Sequence, residues 1–160
     1  MTRSRRTALL LAGLAGLFAL RVLGQVPAAF APQLLPPYWP PMRAWYSGLL
    51  PYPLLLPIQL IILAAQARHI TRWWRCPPPA ARPRLARTLI IAAVLYAATM
   101  LIRYALAVGL RDPGPHPWWA GGLIPVTFHL VLAGYLAVWG IGLQPRRSNP
   151  SARAAPTTPP

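Results

Sequence analysis

Six arginines lie within a stretch of twenty residues in this chain, between two long apolar runs. Cytoplasmic loops of membrane proteins carry an excess of Lys and Arg, whereas short translocated loops do not. We therefore interpret this stretch as the cytoplasmic loop of a membrane-spanning helical hairpin. Its basic side chains are predicted to bind lipid headgroups: Arg68, Arg72, Arg75, Arg82, Arg84 and Arg87.

The composition is that of a membrane protein. Hydrophobic residues make up 56% of the 160 residues and charged residues 11%, against about 25% charged in soluble domains. All sixteen basic residues are arginine, and Asp112 is the sole acidic residue. The arginines flank apolar runs instead of lining one soluble face, so no nucleic-acid partner is expected. Anionic membrane lipids are the expected partner.

Four apolar segments are each long enough to cross a bilayer, which takes about 20 helical residues. They predict helices over 8–24, 49–74, 85–110 and 122–143. The expected fold class is all-α, an integral membrane four-helix bundle that occupies residues 1–143. Residues 144–160 are rich in Pro, Ser, Ala and Arg, and predict a disordered tail.

The distribution of arginines predicts the orientation. With the N-terminus inside, twelve arginines fall on the cytoplasmic side, whereas Arg43 and Arg111 fall outside. This asymmetry favours a multi-pass protein of a bacterial-type inner membrane, with both termini cytoplasmic.

The first apolar run has two interpretations. Ala29–Ala31 resembles a signal-peptidase site, but Pro32 would follow the cut and Arg21 interrupts the apolar region. We therefore expect a retained first helix. The segment Gln25–Gly48 is rich in proline, which predicts a non-helical connection along the outer interface, where its aromatic residues would lie at headgroup level.

A few polar residues within the spans are the candidate ligand site. At a rise of about 1.5 Å per residue, most of them reach similar depths in the outer half of the bilayer. On the third helix the helical phase places three of them on one stripe, which we expect to face the bundle interior. The predicted ligand-binding residues are Arg21, Gln59, Tyr96, Thr99, Arg103 and His129.

Two guanidinium groups almost without acidic partners favour an anion or a carbonyl as ligand. The leading hypothesis is a non-enzymatic protein that binds a lipid-like or quinone-like ligand on its outer side, or an accessory subunit with a partner membrane protein. The alternative is a membrane enzyme that uses Arg103 and His129 on a lipidic substrate. A purely structural role, with both arginines snorkelling to the interface, also stays open.

No catalytic constellation, metal or cofactor is predicted. No span contains a carboxylate, and no Ser-His-Asp set is evident. Haem ligation would require His116, in the outer turn, to fold back over His129. With Cys76 as the single cysteine, neither an intramolecular disulfide nor a Cys-based metal site can form.

Overall fold

The computed structural model describes residues 2–45, 51–76, 82–110 and 122–145. Over these ranges the chain is all-helical. Its elements are α1 (Arg3–Phe30), a short 3-10 helix (Pro32–Leu34), α2 (Met42–Trp45), α3 (Tyr52–Arg75), α4 (Pro83–Gly109) and α5 (Leu123–Gly142). The four long helices are apolar enough to cross a membrane. This confirms the fold class, and the predicted tail lies outside the described residues except for Gln144 and Pro145.

Helix α1 is longer at both ends than predicted. It ends at Phe30, with Pro27 inside its last turn. The prediction that the connection from Gln25 onward is non-helical is therefore wrong for its first six residues. It is also wrong where the 3-10 helix and α2 form within that segment. A proline removes one N–H donor and disfavours only the helical turn before it, so a helix can include a proline close to its end.

The long helices alternate in direction. The Ser4 hydroxyl donates a hydrogen bond to the Trp73 carbonyl oxygen (3.2 Å), which places the start of α1 beside the end of α3. The Arg82 amide donates to the Leu143 carbonyl oxygen (3.1 Å), which joins the start of α4 to the end of α5. These four residues mark one end of the bundle, which we call the arginine end because the exposed arginines that flank the hairpin loop lie there.

Helix α5 packs against both α1 and α4, and small residues permit the close approach. A Cβ atom on Gly140 would lie 2.9 Å from the Ala86 carbonyl oxygen of α4. A Cβ atom on Gly142 would lie 2.9 Å from the Thr7 methyl group of α1. In a bilayer, where burying apolar surface gives little driving force, such close contacts are a main source of helix association.

Helix α3 stands apart from α4 and α5. Within the described ranges its backbone approaches α1 alone among the long helices. Side chains bridge the gap to α5, where His69 Nδ1 and the Tyr135 hydroxyl form a hydrogen bond of 2.8 Å. The His69 ring also lies 4.3 Å from one ring of Trp139, centroid to centroid. A cleft therefore opens between α3 and the α4–α5 pair.

At the opposite end, the segment after α1 folds back over the bundle. Trp45 is buried, and its indole packs against Gly24 of α1 and stacks on Trp39. Ala28 and Ile124 complete this small core. The segment therefore caps the ends of α1 and α5.

The Gly140–Ala86 contact predicts that adding a side chain at position 140 lowers the stability of the protein. In Gly140→Ala the new methyl group meets a backbone oxygen that cannot rotate away, so the free energy of unfolding should fall by about 1–3 kcal/mol. Gly16→Ala is the matched control, because nothing lies within 4 Å of its Cβ position. Thermal unfolding of both variants in one detergent, followed by circular dichroism, gives the comparison. Equal melting temperatures for Gly140→Ala and the wild type would contradict the packing described.

Candidate ligand site

Two polar residues on α1 bind the same backbone carbonyl. Arg21 Nη2 donates to the Trp45 carbonyl oxygen at 3.0 Å, and Gln25 Nε2 donates to the same oxygen at 3.2 Å. Arg21 is 5% exposed and Gln25 is fully buried. The two side chains lie four residues apart on one face of the helix. They tie the capping segment to the bundle.

A second polar pair joins α4 to α5 at the same level. The Tyr96 hydroxyl is hydrogen-bonded to His129 Nδ1. The Arg21 guanidinium lies 5.7 Å from the centroid of the Phe128 ring, one residue before His129. It is also close enough to Tyr96 and His129 to interact electrostatically with both. Side chains of α1, α4 and α5 therefore meet at one depth.

Gln59 of α3 lies at almost the same depth. Ser4 of α1 is opposite Trp73 of α3. Counting fourteen residues from each, forward along α1 and backward along α3, brings Gln59 opposite Phe18. This level is about 5 Å along the helix axis from Arg21. Gln59 is 2% exposed. We call these five residues the buried polar layer: Arg21, Gln25, Gln59, Tyr96 and His129.

The layer contains polar atoms without a hydrogen-bond partner. They are Arg21 Nε, Gln25 Oε1, both side-chain heteroatoms of Gln59, and His129 Nε2. An unpaired buried polar group costs roughly 1–3 kcal/mol, so each such atom calls for a bound water, an ion or a ligand. The sequence predicts Arg21, Gln59, Tyr96 and His129 as one site, and the structure brings them to one level.

Thr99 and Arg103 differ from the other predicted site residues. Both are exposed, and the Thr99 hydroxyl donates to the Leu95 carbonyl oxygen of its own helix. The expectation that they face the bundle interior is therefore wrong. Among its described residues helix α4 buries only the stripe Ala86, Ala93 and Met100, and Arg103 lies about 60–100° around the helix from the members of that stripe. Arg103 still interacts electrostatically with His129, and its role in binding or catalysis stays a prediction.

The cleft between α3 and the α4–α5 pair has a volume of about 580 Å³. Its lining surface is mostly apolar, although Gln66 and the His69–Tyr135 pair contribute polar atoms and Trp139 adds an indole ring. Tyr96 of the buried polar layer lines it at mid-depth, and Arg68 and Arg72 line it at the arginine end. The cleft is thus a mainly apolar slot that has a few polar groups along its walls and two arginines at one end.

A second cavity, of about 780 Å³, adjoins the cleft at the arginine end. The two share Arg68, His69, Arg72 and Trp139. Four arginines of the predicted headgroup set line the second cavity, and all are exposed: Arg68, Arg72, Arg75 and Arg82. The remaining two arginines of the set, Arg84 and Arg87, do not line this cavity. Arg87 lines a separate, smaller cavity beside Gln144, and Arg84 lines none of these three.

Four polar contributors to the site are missing from the sequence-based set: Gln25, Gln66, His69 and Tyr135. Gln25 was assigned to a non-helical connection, although its spacing of four residues from Arg21 would have shown it had α1 been extended. His69 and Tyr135 lie on different helices, and no spacing within either segment indicates that they pair. Among the described residues, no group of three or more His, Cys, Asp or Glu side chains could hold a metal ion.

Comparison of the chain with protein-family models, curated proteins and solved structures finds no match. Its function is therefore inferred from the residues and the geometry of the site alone.

Proposed function

We propose that the protein binds an amphiphilic, lipid-like molecule in the cleft between α3 and the α4–α5 pair. The observation that supports this most is the continuity of an apolar slot with an arginine-lined cavity. The apolar slot accommodates a hydrocarbon chain, and the arginines face its anionic head. The proposed role is binding, without turnover.

The arginines must supply most of the selectivity. A lipid tail that moves from the bilayer into the cleft exchanges one apolar environment for another, so it gains little hydrophobic free energy. An arginine near an anionic headgroup contributes about 1 kcal/mol. Its planar guanidinium can also donate two parallel hydrogen bonds to a phosphate or carboxylate. The described residues include no carboxylate that would compete, because Asp112 lies outside them.

The sequence predicts a ligand site in the outer half of the bilayer. The cleft lies nearer the arginine end, so the ligand is proposed to bind there instead. On the positive-inside rule this end faces the cytoplasm of a bacterial-type inner membrane, and the ligand would come from the cytoplasmic leaflet. A quinone-like head finds less support, because His69 and Tyr135 already bond each other. Of these two ligand classes, the acidic lipid has the better chemical match.

Replacing two cleft arginines should remove the ligand. In Arg68→Gln/Arg72→Gln, anionic phospholipid retained after mild detergent extraction should fall at least fivefold, because both guanidinium groups at the end of the slot are lost. Native mass spectrometry of the intact protein measures the retained lipid. Arg84→Gln/Arg87→Gln is the matched control, since it removes the same charge from the same region outside the cleft.

A steric variant tests the tail separately. Leu132→Trp should fill the slot and reduce retention, whereas Leu101→Trp, on the exposed face of α4, should not.

Equal retention in both arginine double variants would contradict the cleft site. A stoichiometric second polypeptide with no lipid would favour the accessory-subunit role instead.

The single cysteine tests the orientation in the membrane. Cys76 is exposed at the end of α3, on the predicted cytoplasmic side. A membrane-impermeant maleimide should label it only after intact cells are permeabilised. Arg43→Cys in a Cys76→Ser background should label in intact cells, because position 43 is exposed at the opposite end. The reverse pattern would place the arginine end outside and overturn the proposed leaflet.

A further inference from the structure

We propose that the buried polar layer binds a small monovalent anion of halide size, together with water. This site is separate from the lipid cleft in its chemistry and does not depend on a lipid being bound. Three buried side chains, Arg21, Gln25 and Gln59, are each at least 95% buried, and all three have polar atoms without partners.

The Arg21 guanidinium is a buried charge. Arg21 lies deep in a membrane-spanning helix, at 5% exposure. Buried charges in proteins are normally paired, yet the described residues contain no acidic side chain. The Trp45 carbonyl oxygen and the Phe128 ring give only partial compensation, because each is a neutral group. An anion beside the guanidinium would supply the missing charge.

The layer also contains unused hydrogen-bond donors. Arg21 Nε and Gln59 Nε2 are buried N–H groups without acceptors. His129 Nδ1 is bonded to the Tyr96 hydroxyl. When that hydroxyl donates, the remaining ring proton must be on Nε2, which makes His129 Nε2 a third unused donor. The three donors come from α1, α3 and α5 at nearly one depth.

The unused acceptors explain why water accompanies the anion. Gln25 Oε1 and Gln59 Oε1 have no donor, and an anion cannot donate to them. The Gln25 amide orientation follows from its Nε2–H bond to the Trp45 carbonyl oxygen. One or two waters would donate to these oxygens and also to the anion. Water alone would satisfy the same atoms but would leave the Arg21 charge unpaired.

The test is the thermal unfolding of the full-length protein in detergent, with sodium bromide or chloride replacing sodium gluconate at constant ionic strength. We expect the melting temperature of the wild type to rise by about 3 °C and to saturate. Arg21→Gln should abolish the rise. Arg84→Gln should retain it, because this matched control removes an exposed arginine at the arginine end, away from the buried polar layer. A rise that is unsaturated, or equal in Arg21→Gln, would be ordinary screening of surface arginines and would overturn the proposal.

Two further measurements keep the test decisive if Arg21→Gln does not fold. Gln59→Leu removes two unpartnered atoms, one of which is a proposed donor, so it should fold and require about tenfold more bromide for half the effect. Unchanged bromide dependence in Gln59→Leu would count against the site. In crystals soaked with bromide, anomalous scattering should locate an ion beside Arg21 Nε. Bromide found only at the exposed arginines would overturn the proposal.

Discussion

Close approach between helix backbones holds most of this bundle together, because apolar side chains gain little by leaving a bilayer for a protein interior. Gly140 lets α5 lie against the backbone of α4, and Gly142 lets it lie against Thr7 of α1. Helix α3 lacks glycine altogether, and within the described ranges its close backbone contact is with α1. The cleft lies where α3 is separated from α4 and α5.

Polar contacts divide into two groups with different consequences. The His69–Tyr135 bond spans the cleft and satisfies both partners, so it sets the width of the slot without demanding a ligand. The buried polar layer lies farther from the arginine end and keeps unused donors and acceptors. A bilayer offers those atoms no water from the lipid side. The layer is therefore where the structure most requires an additional bound species.

Much of the fold could be predicted from the sequence, because the bilayer thickness fixes the length of a spanning helix. The ends of α3, α4 and α5 fall within a few residues of the predicted bounds. The depth of Arg21 and His129 was also predictable, since it follows from the rise per residue. The extension of α1 through Pro27 was not, because the effect of a proline depends on how far the helix continues beyond it.

The orientation of side chains was harder to predict than their depth. A polar stripe on a helix faces inward only where another helix covers it, and α4 is covered by α5 alone among the described long helices. Thr99 and Arg103 are therefore exposed, although Tyr96 on the same stripe reaches His129. The cleft itself depends on which helices are neighbours. No residue spacing within one segment contains that information.

We propose that the cleft holds an anionic lipid. A crystal structure of the full chain, grown from a lipidic mesophase that contains an anionic phospholipid, tests it most directly. We expect elongated electron density between α3 and α5, with a phosphate within hydrogen-bond distance of Arg68 or Arg72. Helix α3 packed against α5 along its length, with the slot closed and no density in it, would contradict the account.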